Sequence, residues 1–204
     1  MKDIFRDNLV NKIGISGLER IEAARVGVAG AGGLGSNCAA NLTRVGFRKF
    51  KIVDFDKIDH SNLDRQFYFN DQVGRYKTDA LRENLLRISP GIELDMVNER
   101  IDRDNAVRLF VECDIVAECL DTAAGKSMLV TELLKAGKPV VSVSGLGGVG
   151  SSDDIKVHKI RDGLIIIGDL ERDIAKYPAL APRVSLAAAK QADVILEYIV
   201  NKAS

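Results

Sequence analysis

Three glycines and one acid carry the clearest chemistry in this sequence. Gly30, Gly32 and Gly35 form G-x-G-x-x-G, with Gly33 inside it, directly after the apolar run at 26–29. In such a loop one glycine permits a tight turn, one lets backbone N–H groups approach a phosphate, and one lets helix and strand pack closely. The phosphate then sits at a helix N-terminus, where unpaired N–H groups and the helix dipole favour negative charge. Asp54 follows Gly35 by 19 residues, at the end of the next apolar run. A carboxylate there can hold ribose hydroxyls. Together these residues point to a bound nucleotide, without saying which nucleotide or what reaction. A second G-x-G-x-x-G, at Gly145, Gly147 and Gly150, leads into Ser151-Ser152-Asp153-Asp154 and a strand rather than a helix. It reads as a flexible loop.

The elements that must position these residues follow from periodicity. Arg25 to Ala29 reads as a strand, Gly33 to Val45 as a helix, and Lys49 to Val53 as a second strand. Lys77 to Ser89 carries Leu81, Leu85 and Ile88 at helical spacing, and Ser89-Pro90 ends it. Strands are expected at Glu93 to Asn98, Ile115 to Glu118 and Pro139 to Ser144, and helices at Asp104 to Phe110 and Ala123 to Ala136. Asp162-Gly163 between Ile155 to Lys159 and Leu164 to Ile167 signals a hairpin. Residues 169–183, with Pro178 and Pro182, read as an irregular loop, and Val184 to Val200 as a final amphipathic helix. Strand–helix alternation with short links implies an α/β fold. The expectation is a Rossmann-like, mostly parallel sheet with helices on both faces, plus a C-terminal hairpin and helix. No linker composition divides the chain, so residues 1–204 read as one nucleotide-binding domain.

Composition narrows the function classes. Lysine plus arginine and aspartate plus glutamate number 29 each, so no basic excess points to nucleic acid or an anionic membrane as partner. The N-terminus has no apolar signal core, and no apolar run is long enough to span a bilayer. A soluble, cytoplasmic protein is expected. Cys38, Cys113 and Cys119 make no C-x-x-C pair and suit reduced, buried thiols. His60 and His158 have no partner pattern.

Beyond Asp54 the sequence resembles the ThiF/MoeB/HesA family, bacterial relatives of ubiquitin-activating enzymes. The resemblance rests on five elements in order. They are Gly30 to Gly35, the acids Asp54 and Asp56, Asn62-Leu63-Asp64-Arg65-Gln66, Val73-Gly74-Arg75-Tyr76-Lys77, and Cys119-Leu120-Asp121-Thr122. It implies adenylation of the C-terminal glycine carboxylate of a small ubiquitin-like sulfur carrier, ThiS-like or MoaD-like, with ATP and Mg2+. The short chain is most like a ThiF of thiamine biosynthesis; molybdopterin synthesis is the alternative. It also implies roles. Arg65 and Lys77 would act on the phosphates, with Asn62 as a neutral donor, and Asp121 would be the magnesium-associated carboxylate. Gln66 and Lys126 would lie at the nucleotide, Lys126 where the family often has arginine. By register with the family's N-terminal segment, Arg6 would reach across a homodimer into the neighbour's site.

The chemistry agrees with these residue types. A carboxylate attacking the α-phosphate brings two anions together, and unit charges at contact distance interact by about 4 kcal/mol at an effective dielectric near 20. A few fixed cations offset that repulsion and stabilise the developing charge. No general base is needed, because the carboxylate is already ionised. Three departures stand out. Thr122 replaces the family's usual asparagine, the C-x-x-C pairs that hold zinc in many members are absent, and no cysteine lies between Gly145 and Ser204. The expectation is therefore no structural zinc and a separate sulfur donor. An NAD-dependent oxidoreductase would account for Gly30 to Gly35 and Asp54 but not for Asn62, Arg65, Lys77 and Asp121. A non-catalytic scaffold would leave the phosphate-binding set without a use.

Overall fold

The computed structural model describes residues 4–201. It opens with two helices that periodicity did not reveal, α1 (Ile4–Ile13) and α2 (Ile15–Ala23). Then come β1 (Arg25–Ala29), α3 (Gly33–Arg44), β2 (Lys49–Val53), α4 (Lys77–Ile88), β3 (Glu93–Val97), α5 (Ala106–Phe110) and β4 (Ile115–Glu118). The chain continues through α6 (Ala123–Lys135), β5 (Val140–Val143), β6 (Lys156–Arg161), β7 (Leu164–Gly168) and α7 (Ala181–Asn201). α7 starts three residues before the expected Val184. Pro182 lies in its first turn, where a missing N–H costs nothing.

Among the described residues the strands form one seven-stranded sheet in the order β3-β2-β1-β4-β5-β7-β6. All neighbouring pairs are parallel except β6–β7. The hairpin is thus not a separate appendage. β7 pairs with β5 from Val140↔Leu164 to Val143↔Ile167 and carries β6 as an antiparallel edge. Strand side chains alternate between two apolar layers, as a two-residue period requires. Ile115 and Ala117 of β4 and Val141 and Val143 of β5 join the cluster under α3, α4 and α7. Val116 and Val140 join the opposite one, with Phe110 of α5 and Leu129 and Leu133 of α6. The strand order reverses between β1 and β4, and ligands of open α/β sheets bind at the carboxyl ends of strands beside such a reversal.

Candidate functional site

Beside this reversal the chain opens a cleft of about 1160 Å³. Its wall is built from residues just beyond the carboxyl ends of five strands: Gly30 after β1, Asp54 after β2, Glu99 after β3, Asp121 after β4 and Ser144 after β5. The cleft brings together Gly30, Gly32, Gly33, Asp54, Asp56, Asn62, Arg65, Gln66, Lys77, Asp121 and Lys126, residues separated by up to 96 positions in sequence.

The glycine loop is held from three sides. Gly30 has φ +98°, and a Cβ there would stand 2.7 Å from the Cys119 carbonyl oxygen, so only glycine fits between β1 and β4. A Cβ on Gly35 would collide with the Gly30 carbonyl oxygen. Gly35 therefore lets α3 close onto the loop and does not line the cleft. The Ala31 N–H donates to Asp54 Oδ2 at 2.6 Å, the Tyr68 hydroxyl donates to the Ala31 carbonyl at 2.7 Å, and the Phe67 N–H donates to Ser36 Oγ at 3.0 Å. The other Asp54 oxygen accepts from the Asp56 N–H at 2.8 Å. Burial pushes the Asp54 carboxyl above its ordinary range, against the pull of Lys77 and the Ala31 and Asp56 N–H groups. Tyr68 is buried, and the sequence Phe67-Tyr68-Phe69 gave no sign of its role at the loop.

The segment between β2 and α4 presents the cations. Lys77 begins α4 with a side chain only 7% exposed, and its Nζ pairs with Asp56 Oδ2 at 2.7 Å. Asp56 is thus the partner that orients Lys77. Arg65 donates through Nη1 to the Ser61 carbonyl at 2.9 Å and to Asp64 Oδ1 at 2.6 Å. The Asn62 Oδ1 accepts from the Asp59 N–H at 3.1 Å, and with Asp59 forms a capping box on the short turn His60–Asn62. Gln66 stands apart. Its Oε1 is buried yet accepts no hydrogen bond among the described residues, and a buried acceptor left unpaired carries a desolvation cost.

On the other wall Asp121 is exposed at the cleft, and Thr122 caps α6, its Oγ1 accepting from the Gly125 N–H at 3.2 Å. Threonine at this position therefore has a local structural use. Lys126, one turn further, is not a solvated helix residue. Its Nζ reaches both oxygens of Glu118, at 3.2 and 3.0 Å. Glu118 ends an otherwise apolar strand, Ile115-Val116-Ala117-Glu118, and that was the signal available for it.

The second glycine pattern is tied down. The Gly147 N–H donates to the Arg172 carbonyl at 3.1 Å and the Gly148 N–H to the Pro178 carbonyl at 2.8 Å. The buried Arg183 donates to the carbonyls of Leu146, Gly150 and Ser151 and pairs with Asp169 at 2.5 Å. Residues 145–151 and 169–180 thus form one rim of the cleft, with Leu170 and Ile174 partly exposed along it. Arg100 and Arg103, from the segment after β3, and Arg172 also line the cleft; no motif marked them.

Arg6 lies outside the cleft of its own chain. It sits on α1 and pairs with Glu22 of α2 at 3.0 Å. All three cysteines are buried. Burial pushes the Cys38 and Cys113 thiols up to about 12 and raises Cys119 well above its usual range.

Residues 5–159 match the ThiF family, more than half of the chain. The chain belongs to the ThiF family. Among ThiF-family relatives, it is 37% identical over 148 residues to the adenylyltransferase and sulfurtransferase UBA4 of Candida glabrata, covering 72% of this chain and 34% of that protein. It is 36% identical over 137 residues to the probable adenylyltransferase/sulfurtransferase MoeZ of Mycobacterium tuberculosis, covering 67% of this chain and 35% of MoeZ. The chain therefore spans about a third of the length of these relatives. The fold is that of E. coli tRNA N6-threonylcarbamoyladenosine dehydratase, TcdA, seen in complex with AMP. The TM-score is 0.88 at 21% identity, over 98% of this chain and 97% of that one. E. coli MccB, seen with ATP, gives a TM-score of 0.77 at 20% identity over 100% of this chain and 65% of MccB. Among the described residues no helix is long and apolar enough to cross a membrane.

Proposed function

We propose that this chain uses ATP and magnesium to adenylate the C-terminal glycine carboxylate of a small ubiquitin-like, ThiS-like sulfur carrier in thiamine biosynthesis. One observation carries the reading. The glycine loop, Arg65, Lys77, Lys126 and Asp121 converge on one cleft, where the buried Gln66 Oε1 has no partner of its own. A nucleotide supplies what this arrangement lacks: phosphate oxygens for the cations and loop N–H groups, and N–H or O–H donors for Gln66.

In this reading Asp54 faces the ribose, and the phosphates lie between the N-terminus of α3 and the cations. The carrier carboxylate attacks the α-phosphorus, an oxygen–phosphorus bond forms to give the acyl-adenylate, and the bond to the leaving pyrophosphate breaks. Arg65, a planar donor, and Lys77, a point charge fixed by Asp56, stabilise the charge gathering on the α-phosphate oxygens. Asp121 is an exposed carboxylate at the cleft, which would suit magnesium, an ion held by one or two carboxylates together with substrate phosphates. When bound there, the ion would supply charge neutralisation for the leaving pyrophosphate. The rim at 145–151 and 169–180, with its partly exposed apolar side chains, is where the carrier's tail would enter.

Curated relatives named adenylyltransferase and sulfurtransferase, UBA4 and MoeZ, support the carrier as substrate. ATP- and AMP-bound structures of proteins with this fold support the nucleotide. Sulfur would come from a separate donor. The test is mass spectrometry of a ThiS-like carrier incubated with enzyme, ATP and magnesium. The carrier should gain one AMP on its terminal glycine, and a carrier lacking that glycine should gain none. Equal labelling of both would overturn the assignment.

A further inference from the structure

Glu118 closes β4 with a fully buried side chain, and the adenylation chemistry above makes no use of it. Its Oε1 accepts from the Leu120 N–H at 2.7 Å, its Oε2 accepts from the Ser142 hydroxyl at 2.6 Å, and both accept from the Lys126 ammonium. Every lone-pair direction of that carboxylate is engaged inside the protein, so it offers nothing to a ligand. Lys126 is the reverse case. An ammonium has three N–H donors, and among the described residues Glu118 is the group that accepts from it. Its side chain is 21% exposed, and it lines the cleft.

A buried ion pair is a weak device for stability, because desolvation consumes most of what attraction returns. A lysine is also a mobile point charge on a four-carbon stem unless something holds it. Here the hold is unusually complete. Glu118 clamps the ammonium from below, and Ser142 on β5 and the Leu120 N–H fix the plane of the clamp.

We propose that Glu118 is a positioning residue that, with Ser142, aims the free N–H of Lys126 into the cleft as a preset donor to an anionic oxygen of the bound nucleotide. This rests on the ATP reading above. A donor fixed before the reaction costs no reorganisation when charge develops. Glu118 thus acts through Lys126 and never touches the nucleotide.

The test compares steady-state ATP–pyrophosphate exchange and thermal melts for wild type, Glu118→Gln, Lys126→Met, Lys126→Arg and the Glu118→Gln/Lys126→Met double variant. Misplacing a group by about 1 Å can cost roughly 100-fold in rate, so kcat in Glu118→Gln should fall by about that factor. Lys126→Met should fall at least as far, and the double variant no further than Lys126→Met. Lys126→Arg, which keeps the charge, should recover most of the rate. A purely structural Glu118 would lower the melting temperature and leave kcat and KM at wild-type values. Independent roles would make the two single losses multiply in the double variant. Either result overturns the proposal. Ser142→Ala, which leaves both charges in place, reads the same clamp if Glu118→Gln does not fold. It should also lower kcat, and a wild-type kcat there would overturn the proposal. A wild type that binds no ATP in calorimetry would remove the functional reading itself, whereas ATP binding with an unaltered Glu118→Gln removes only the positioning role.

Discussion

Arg65 and Lys77 reach the same cleft by different means, and that difference shapes what their loss should do. Lys77 is nearly buried and held by Asp56, whereas Arg65 stays about a quarter exposed and is steadied by Asp64 and the Ser61 carbonyl. Removing one transition-state donor typically costs about 100- to 1,000-fold in turnover. Arg65→Ala and Lys77→Ala should each lose exchange activity on that scale. Arg65→Ala should keep a near wild-type melting temperature, and Lys77→Ala should lower it because Asp56 loses its partner. Exchange at wild-type rates in both would contradict their assignment. The thiols give a second expectation at this scale. A thiol raised to about 12 by burial is almost wholly protonated at neutral pH, and the protonated thiol is a poor nucleophile. A folded variant with Cys38, Cys113 and Cys119 all changed to Ser should still adenylate the carrier and still support sulfur transfer from an added donor. Loss of transfer alone, with adenylation intact, would show that one of these thiols takes part.

At the scale of elements, strand–helix alternation made the sheet legible, because a buried strand must be apolar and its crossover helix must be amphipathic. Ile115–Glu118 falls on its expected bounds, and α3 and α4 lie within a residue of theirs. The family resemblance likewise pointed to Arg65, Lys77 and Asp121, and the structure brings them to one cleft with the glycine loop. What stayed hidden depends on partners distant in sequence. α1 buries none of its residues, so it lacks the apolar stripe that periodicity detects. The Glu118–Lys126–Ser142 contacts join β4, α6 and β5, and no local pattern encodes such a meeting. The anchoring of 145–151 depends on Arg183, more than 30 positions away, so a glycine-rich segment read as flexible proves to be fastened. That fastening is sensitive to acid. Burial works against ionisation of Asp169, but the Arg172 and Glu171 N–H groups and the Arg183 guanidinium outweigh it and hold the carboxyl below its ordinary 3.8. A lowered folded pKa contributes stability that is present above the unfolded value and is lost as pH falls through the folded one. Thermal melts should therefore show wild-type stability dropping as pH falls below about 4. Asp169→Asn should be less stable at neutral pH and show a shallower acid decline. An unchanged acid decline would contradict the latch.

At the scale of the whole molecule, the cleft of one chain holds every expected site residue except Gly35, which packs the loop, and Arg6. Arg6 sits on α1, paired with Glu22; if two chains pair symmetrically as the family resemblance implies, each Arg6 would serve the other chain's cleft. Mixed dimers of Arg6→Ala and Lys77→Ala should regain part of the wild-type exchange activity, since one of the two hybrid sites carries both native residues. No recovery in dimers shown to be mixed would contradict the shared site.

The central claim is that this cleft activates a carrier's carboxylate with ATP, and ATP–pyrophosphate exchange tests it most directly. Labelled pyrophosphate should enter ATP only when enzyme, magnesium and a ThiS-like carrier with its terminal glycine are all present, and Arg65→Ala should nearly abolish the signal. No exchange with an intact carrier, together with tight binding of NAD and none of ATP, would contradict it.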